Sequence, residues 1–319
     1  MKPRVLITRP LPERVLAAAR ERFELTLRAS TAPMDAGELR ASLREHDAVL
    51  PTLGDAYSAA VFADVPGPRA RLLANFGVGY NHIDVAAARA AGVEVTNTPG
   101  AVTDATADIA ITLMLMSARR AGEGEREVRA GRWEGWHPTQ MLGLHVTGKT
   151  AGIIGMGRIG RAIARRAHFG FGMRVVFFNR SALPDPGLPA EQLADVRAVM
   201  AAADVVFVAV PGGAGTRHLI DTEALSAMRG HAHLVNISRG DVIDEAALIA
   251  ALEAGQIGGA GLDVYEFEPE VPARLRALES AVLLPHLGTA ALEVREAMGL
   301  MAVENLRAVF AGEVPPNRV

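Results

Sequence analysis

The chain has no cysteine among its 319 residues, which excludes disulfides, thiolate-bound metals and a cysteine nucleophile together. Aromatic residues make up only 5% of it, and just two are tryptophans. Those two, Trp133 and Trp136, are isolated indoles beside a long apolar segment. They fit the sealing of a subunit or domain interface better than a sugar or nucleic-acid platform. Positive charge is not in excess: 33 Lys and Arg face 36 Asp and Glu, for a net charge of −3. No basic field therefore draws in nucleic acid or an acidic membrane surface. Nor does any apolar run approach the roughly 20 residues that span a bilayer. The opening Met1–Thr8 is too short for a signal-peptide core and reads as a first strand. A cytoplasmic enzyme, with neither nucleic acid nor membrane as partner, is the expectation.

What is present is length and alternation. A chain of 319 residues suits two domains. Residues 4–8, 48–50, 71–75 and 93–96 read as strands, with an amphipathic helix at Glu13–Arg22 and alanine-rich helices between the later strands. This alternation argues for a small parallel α/β domain. A long apolar helix follows at Thr103–Arg120, and a second series of strands at 151–155, 174–178, 204–210, 233–237 and 258–263. The closing helix, Ala291–Phe310, needs a partner for its apolar face, and the economical solution returns it to the first domain.

The second series opens on Gly155-Met-Gly157-Arg158-Ile159-Gly160, a G-x-G-x-x-G turn between a strand and a helical pattern. Such glycines let backbone approach a pyrophosphate, and the helix N-terminus behind them offers N–H groups to the charge. In an NAD site a carboxylate about 20 residues further on takes the ribose hydroxyls. Asn179 stands there instead, followed by Arg180 and Ser181. No negative charge repels a 2′-phosphate, so NADP(H) is favoured over NAD(H).

Two other motifs are set aside. Gly143–Thr150 spells a phosphate-binding loop of the G-x-x-x-x-G-K-T type, but its strand follows the lysine instead of preceding the glycines. His231 and His233 share a strand entrance with no third ligand at hand, so no metal is assigned.

Reduction of a keto acid by a nicotinamide requires a cation for the carboxylate and carbonyl, an acid for the new alkoxide, and a neighbour that tunes the acid. Three segments after strands supply these types: Asn236-Ile237-Ser238-Arg239-Gly240, Leu262-Asp263-Val-Tyr-Glu266-Phe-Glu268-Pro269, and Pro285-His286-Leu-Gly288. Arginine's planar fork matches paired oxygens, histidine titrates near neutrality, and a carboxylate beside an imidazole favours the protonated ring.

With these segments, Gly77-Val78-Gly79-Tyr-Asn-His-Ile-Asp84, Asn97-Thr-Pro-Gly100 and Thr103–Asp108, the chain resembles the D-isomer-specific 2-hydroxyacid dehydrogenases, most of all the glyoxylate/hydroxypyruvate reductases. The spacing agrees: Glu268 lies 29 residues past Arg239, and His286 lies 18 past Glu268. The resemblance implies an α/β fold of two Rossmann-like domains. One is a discontinuous flavodoxin-like substrate domain of residues 1–99 plus 288–319, and the other an inserted dinucleotide-binding domain of residues 100–287. It implies that Arg239 binds the substrate carboxylate and carbonyl, that His286 is the general acid, and that Glu268 partners His286. Glu266, not before the proline, is the structural control. Val78 and Gly79 would bind the carboxylate through their N–H groups.

The resemblance also implies cofactor contacts from the glycine turn (Gly155, Gly157, Arg158, Ile159, Gly160) and from Asn179, Arg180 and Ser181. Val210, Pro211 and Thr216, then Ile237 and Ser238, and lastly Asp263 and Gly288 complete them, with Asp263 facing the nicotinamide end. The substrate would be a small 2-keto or 2-hydroxy acid, with Trp136 shaping the pocket from a partner subunit. A homodimer through helix 103–120 is implied too. The alternative reading is a corepressor-like binding protein that senses the redox state of the same cofactor.

Overall fold

Short β-branched runs, each followed by a helix that carries the chain back to the same edge, can pair only as parallel strands. The computed structural model describes residues 1–319 in full and contains two such sheets, parallel at every pairing. They belong to two units, Met1–Val102 with Ala290–Val319, and Thr103–Thr289.

In the first unit β1 (Arg4–Ile7), β2 (Glu24–Leu27), β3 (Ala48–Leu50), β4 (Leu72–Ala74) and β5 (Glu94–Thr96) lie in the order β2-β1-β3-β4-β5. That is the flavodoxin-like order, which places loops for ligands at the carboxyl ends of the strands. The central strands are buried on both faces, whereas β2 is mostly exposed. Helix Ala36–Glu45 starts on a capping box, with Asp35 accepting from the Glu38 N–H and Glu38 accepting from the Asp35 N–H. The closing helix, Leu292–Phe310, lies against helix Glu13–Arg22. Gly299 makes this approach close, since a Cβ there would run into the Val15 side chain. Beyond that helix the chain end pairs with β5, and Val319 N–H donates to Val95 O at 3.0 Å.

In the second unit β6 (Thr150–Ile154), β7 (Arg174–Phe178), β8 (Glu191–Gln192), β9 (Val205–Val208), β10 (His233–Asn236), β11 (Gly259–Leu262) and β12 (Ala281–Leu283) give the order β12-β11-β10-β9-β6-β7-β8. The chain winds outward from β6 in both directions. The β6/β9 boundary is therefore a topological switch point, where doubly wound sheets open a crevice for ligands. Helix Thr103–Ala118 covers one face, burying Ala107, Ala110, Leu113 and Met114 among the residues of β6, β7, β9 and β10. The other face is closed by helices Val196–Ala202, Thr222–Ser226 and Glu245–Glu253.

Strands β2, β8 and β12 fall outside those read from the sequence: one is solvated on most of its length, and the others have two and three residues. Helix Thr103–Ala118 stops short of residue 120, because Arg120 takes φ 52° and a new helix, Ala121–Arg129, begins. The helix after the glycine turn starts at Arg158 and widens into a π turn at Arg166–Gly170. Gly143–Lys149 runs into β6, so the strand does follow the lysine.

Candidate active site

The glycine turn leaves β6 at the switch point. Gly155 sits at φ 97°, and a Cβ on it would lie 2.7 Å from Ala209 O. On Gly160 a Cβ would collide with Gly155 O, which forces helix and strand together. Gly157, by contrast, has no atom within 4 Å of where a Cβ would stand. It faces open space and caps helix Arg158–Arg165 with no side-chain hydrogen bond, so the first-turn N–H groups remain for an anion. Arg158 is exposed and Ile159 half-buried on that first turn. A dinucleotide pyrophosphate fits this cradle.

After β7 the chain turns through Asn179, Arg180 and Ser181. Asn179 Nδ2 donates to Ser181 O at 3.3 Å, while Arg180 and Ser181 are exposed. Behind the turn lies Gln192 of β8, bonded to Asn179, Ser181 and Leu183, a partner the sequence reading missed. After β9, Val210 and Pro211 open a loop that Thr216 closes, its hydroxyl donating to Pro211 O at 2.7 Å.

After β10, Ile237 is buried and the next residues interlock. Asn236 Oδ1 accepts from the Ser238 N–H, Ser238 Oγ accepts from the Arg239 N–H, and Asn236 Nδ2 donates to Arg239 O. The Arg239 guanidinium donates to Ser238 O at 2.7 Å, and its stem packs on Gly212, where a Cβ would come within 2.6 Å. Burial pulls the Arg239 pKa down, and the nearby charges of Glu268 and Asp241 only partly oppose it. Arginine so placed stays a cation.

After β11 the loop turns on Asp263, only 2% exposed. Its carboxylate accepts from the Leu287 N–H at 2.6 Å and the Gly288 N–H at 2.8 Å, and its carbonyl accepts from the His286 N–H at 3.0 Å. Burial raises the Asp263 pKa, and those two amide donors oppose it. Asp263 thus builds the loop that carries His286, a role that its place in the sequence did not reveal. His286 itself is held at φ 55°, a left-handed conformation unusual for a side-chain-bearing residue. Such strain persists only where surrounding bonds fix it.

His286 Nδ1 meets Glu268 Oε2 at 2.9 Å, with the two side chains 33% and 30% exposed, so the pair is reachable. The other Glu268 oxygen accepts from the Tyr265 N–H at 3.1 Å. Burial opposes the Glu268 charge, but the hydrogen bond and charge of His286 outweigh it, aided by the Tyr265 N–H and Arg239, and its pKa lies below the usual value. An ionised carboxylate on Nδ1 requires a proton there, which leaves Nε2 as the nitrogen turned away from Glu268. Tyr265 also ties β11 to β12, its hydroxyl donating to Leu284 O at 2.9 Å. Glu266 takes no part in this pair. It meets Arg217 Nη2 and His218 Nε2 at 2.9 Å each, and its N–H donates to Glu245 Oε1.

The second unit therefore brings together Arg239, Asp263, Glu268 and His286 on the carboxyl ends of β10, β11 and β12. The two strand-entrance histidines lie at the opposite end of β10. His231 Nε2 meets Asp204 Oδ1 at 2.7 Å, and buried His233 meets Ser117 Oγ at 2.8 Å. Burial, with His231 adding to it, pushes the His233 pKa down to about 4. Trp133 and Trp136 are 55% and 80% exposed in the single chain.

In the first unit the loop after β4 carries Val78 and Gly79. Asn75 Nδ2 donates to the carbonyls of Gly77 and Gly79, and Asn97 Nδ2 to that of Val78. Because a trans peptide points its N–H opposite its C=O, the Val78 and Gly79 N–H groups face away from those asparagines. They form a small pair of donors suited to an anion.

Known proteins resemble the chain throughout its length. Residues 111–288 match the family profile of the D-isomer specific 2-hydroxyacid dehydrogenase NAD binding domain. A glyoxylate reductase of Korarchaeum cryptofilum is 45% identical over all of this chain and 96% of its own. That of Thermococcus kodakarensis is 43% identical with the same coverage. Among solved structures, a Thermus thermophilus protein superposes with TM-score 0.92 at 42% identity, covering 99% of each chain. An NADPH-dependent glyoxylate/hydroxypyruvate reductase of Sinorhizobium meliloti, in complex with NADP and malonate, gives TM-score 0.89 at 36% identity over 100% of this chain and 97% of that one.

Proposed function

The chain belongs to the D-isomer-specific 2-hydroxyacid dehydrogenase family, and from that premise we propose that it reduces glyoxylate or hydroxypyruvate to the D-2-hydroxy acid, with NADPH preferred and NADH accepted. The observation that carries this reading is the 2.9 Å His286–Glu268 pair, set on the same sheet edge as a half-buried arginine and a glycine cradle. When bound, the reduced nicotinamide supplies the hydride for the carbonyl carbon. Arg239 grips the carboxylate and polarises the carbonyl oxygen, its stem held by Gly212. His286 presents Nε2–H to that oxygen and gives up the proton as the alkoxide forms. Glu268 keeps Nδ1–H in place and stabilises the ring while it is charged. In the reverse direction Nε2 takes the proton from the hydroxyl. Val78 and Gly79 supply further donors for a carboxylate. The remaining lone pairs of Asp263 suit the nicotinamide amide.

The preference for NADPH rests on a neutral Asn179 followed by exposed Arg180 and Ser181. The unit containing β1–β5 serves as substrate domain and the other as dinucleotide domain. A homodimer forms through the segment after helix Thr103–Ala118, where Val128, Trp133, Trp136 and Leu142 are all more than half exposed. There Trp136 of one protomer bounds the substrate pocket of its partner and favours small acids. The test is NADPH oxidation followed at 340 nm with glyoxylate, hydroxypyruvate and pyruvate. Turnover of the first two supports the proposal. Tight cofactor binding without turnover of any 2-keto acid would overturn it.

A further inference from the structure

We propose that Gln192 is a positioning residue for cofactor specificity, its side-chain amide shaping the Asn179–Leu183 turn into a receptor for the adenosine 2′-phosphate; the proposal rests on the NADPH preference argued above. One side chain makes three bonds to the backbone of that turn. Gln192 Oε1 accepts from the Leu183 N–H at 2.9 Å, and Nε2 donates to Asn179 O at 3.2 Å and Ser181 O at 3.1 Å. Only an amide in this orientation meets all three, because a donor faces the oxygen and two acceptors face the nitrogen.

The bonds have a directional consequence. With the carbonyls of Asn179 and Ser181 turned towards Gln192, planar peptides send the N–H groups of Arg180 and Ala182 the other way. Those N–H groups then lie on the outer side of a turn whose Arg180 and Ser181 side chains are exposed. Charge agrees with this. Residues 179–183 contain no acid, and Glu191, the acid beside Gln192, is paired with Arg174 at 2.6 Å. The two-residue strand β8 exists in register to deliver the amide: Gln192 stands opposite Phe177, and Leu193 N–H donates to Phe177 O at 2.8 Å.

Calorimetry on the full chain separates the phosphate from the rest of the nucleotide, using adenosine 2′,5′-bisphosphate and adenosine 5′-monophosphate as probes. In the wild type the bisphosphate should bind the more tightly. Gln192→Ala should weaken the bisphosphate about tenfold, the free-energy scale of about one net hydrogen bond, and leave the monophosphate within about twofold. Gln192→Glu, which keeps the acceptor but loses both donors and adds charge, should weaken the bisphosphate further. The ratio of kcat/KM for NADPH over NADH should fall in parallel. An unchanged bisphosphate affinity in both variants overturns the role of Gln192, as does an equal loss of both probes, which marks a merely structural part. A wild type that binds the two probes alike overturns the NADPH reading itself, and the role of Gln192 with it.

Discussion

Asp263 has both carboxylate oxygens committed to the backbone of the loop that carries His286, one to Leu287 and one to Gly288. Asp263→Asn would turn an amide NH2 towards one of those donors and leave a buried N–H unpaired. Such a loss costs about 1–3 kcal/mol, drawn from a loop that already holds His286 at φ 55°. We expect kcat to fall about tenfold or more with protein yield retained, read by steady-state kinetics with hydroxypyruvate. Unaltered kcat would show that the loop does not need the aspartate. Glu268→Gln keeps the shape but removes the charge that stabilises the imidazolium, and should lower kcat by about 10²-fold, with NADP affinity unchanged by calorimetry. His233 gives a prediction for stability. Its folded pKa is depressed to about 4 by burial, so the unfolded state binds the proton first as pH falls. Stability should therefore be full above the unfolded pKa near 6.5 and decline by about 3 kcal/mol as pH drops to 4. Urea titrations at successive pH values read this slope, and His233→Gln should flatten it. An equal slope in the variant would exclude His233 as its source.

At the scale of elements, what could be read in advance depended on how local the requirement is. The turn at Gly155–Gly160 was legible because backbone geometry demands glycine at fixed spacing beside a strand and a helix. That Glu268 and His286 meet, on the same sheet edge as Arg239, was legible because each residue type has a characteristic chemistry and the three stand 29 and 18 residues apart. Gln192 was not, since a two-residue strand leaves no periodicity and its bonds reach back 9 to 13 residues to backbone atoms. Nor was the anchoring by Asp263, 24 and 25 residues from its partners, or the bridge from Glu266 to His218 across 48. Helix Thr103–Ala118 was apolar enough to be assigned to a dimer, yet its inner residues are consumed by its own sheet. The exposed apolar surface lies farther along, at Val128–Leu142. The turn after β7 carries the specificity prediction. Asn179→Asp with Arg180→Ile restores a carboxylate for ribose hydroxyls and removes the cation. We expect kcat/KM to shift towards NADH by about tenfold or more. Unchanged discrimination between NADPH and NADH would remove that turn from cofactor choice.

The molecule contains two parallel sheets, one in flavodoxin-like order and one doubly wound about β6. Large exposed indoles at Trp133 and Trp136 are costly on a monomer surface. Sedimentation should therefore find a dimer at micromolar concentration, and Trp133→Ser with Trp136→Ser should shift it towards monomer. A monomeric wild type would contradict this. The central claim, acid catalysis by His286 in reduction of a small 2-keto acid, is tested most directly by the turnover of His286→Ala with NADPH and hydroxypyruvate. The account predicts a kcat lower by about 10²- to 10⁴-fold while NADP still binds with wild-type affinity; a near-wild-type rate would contradict it.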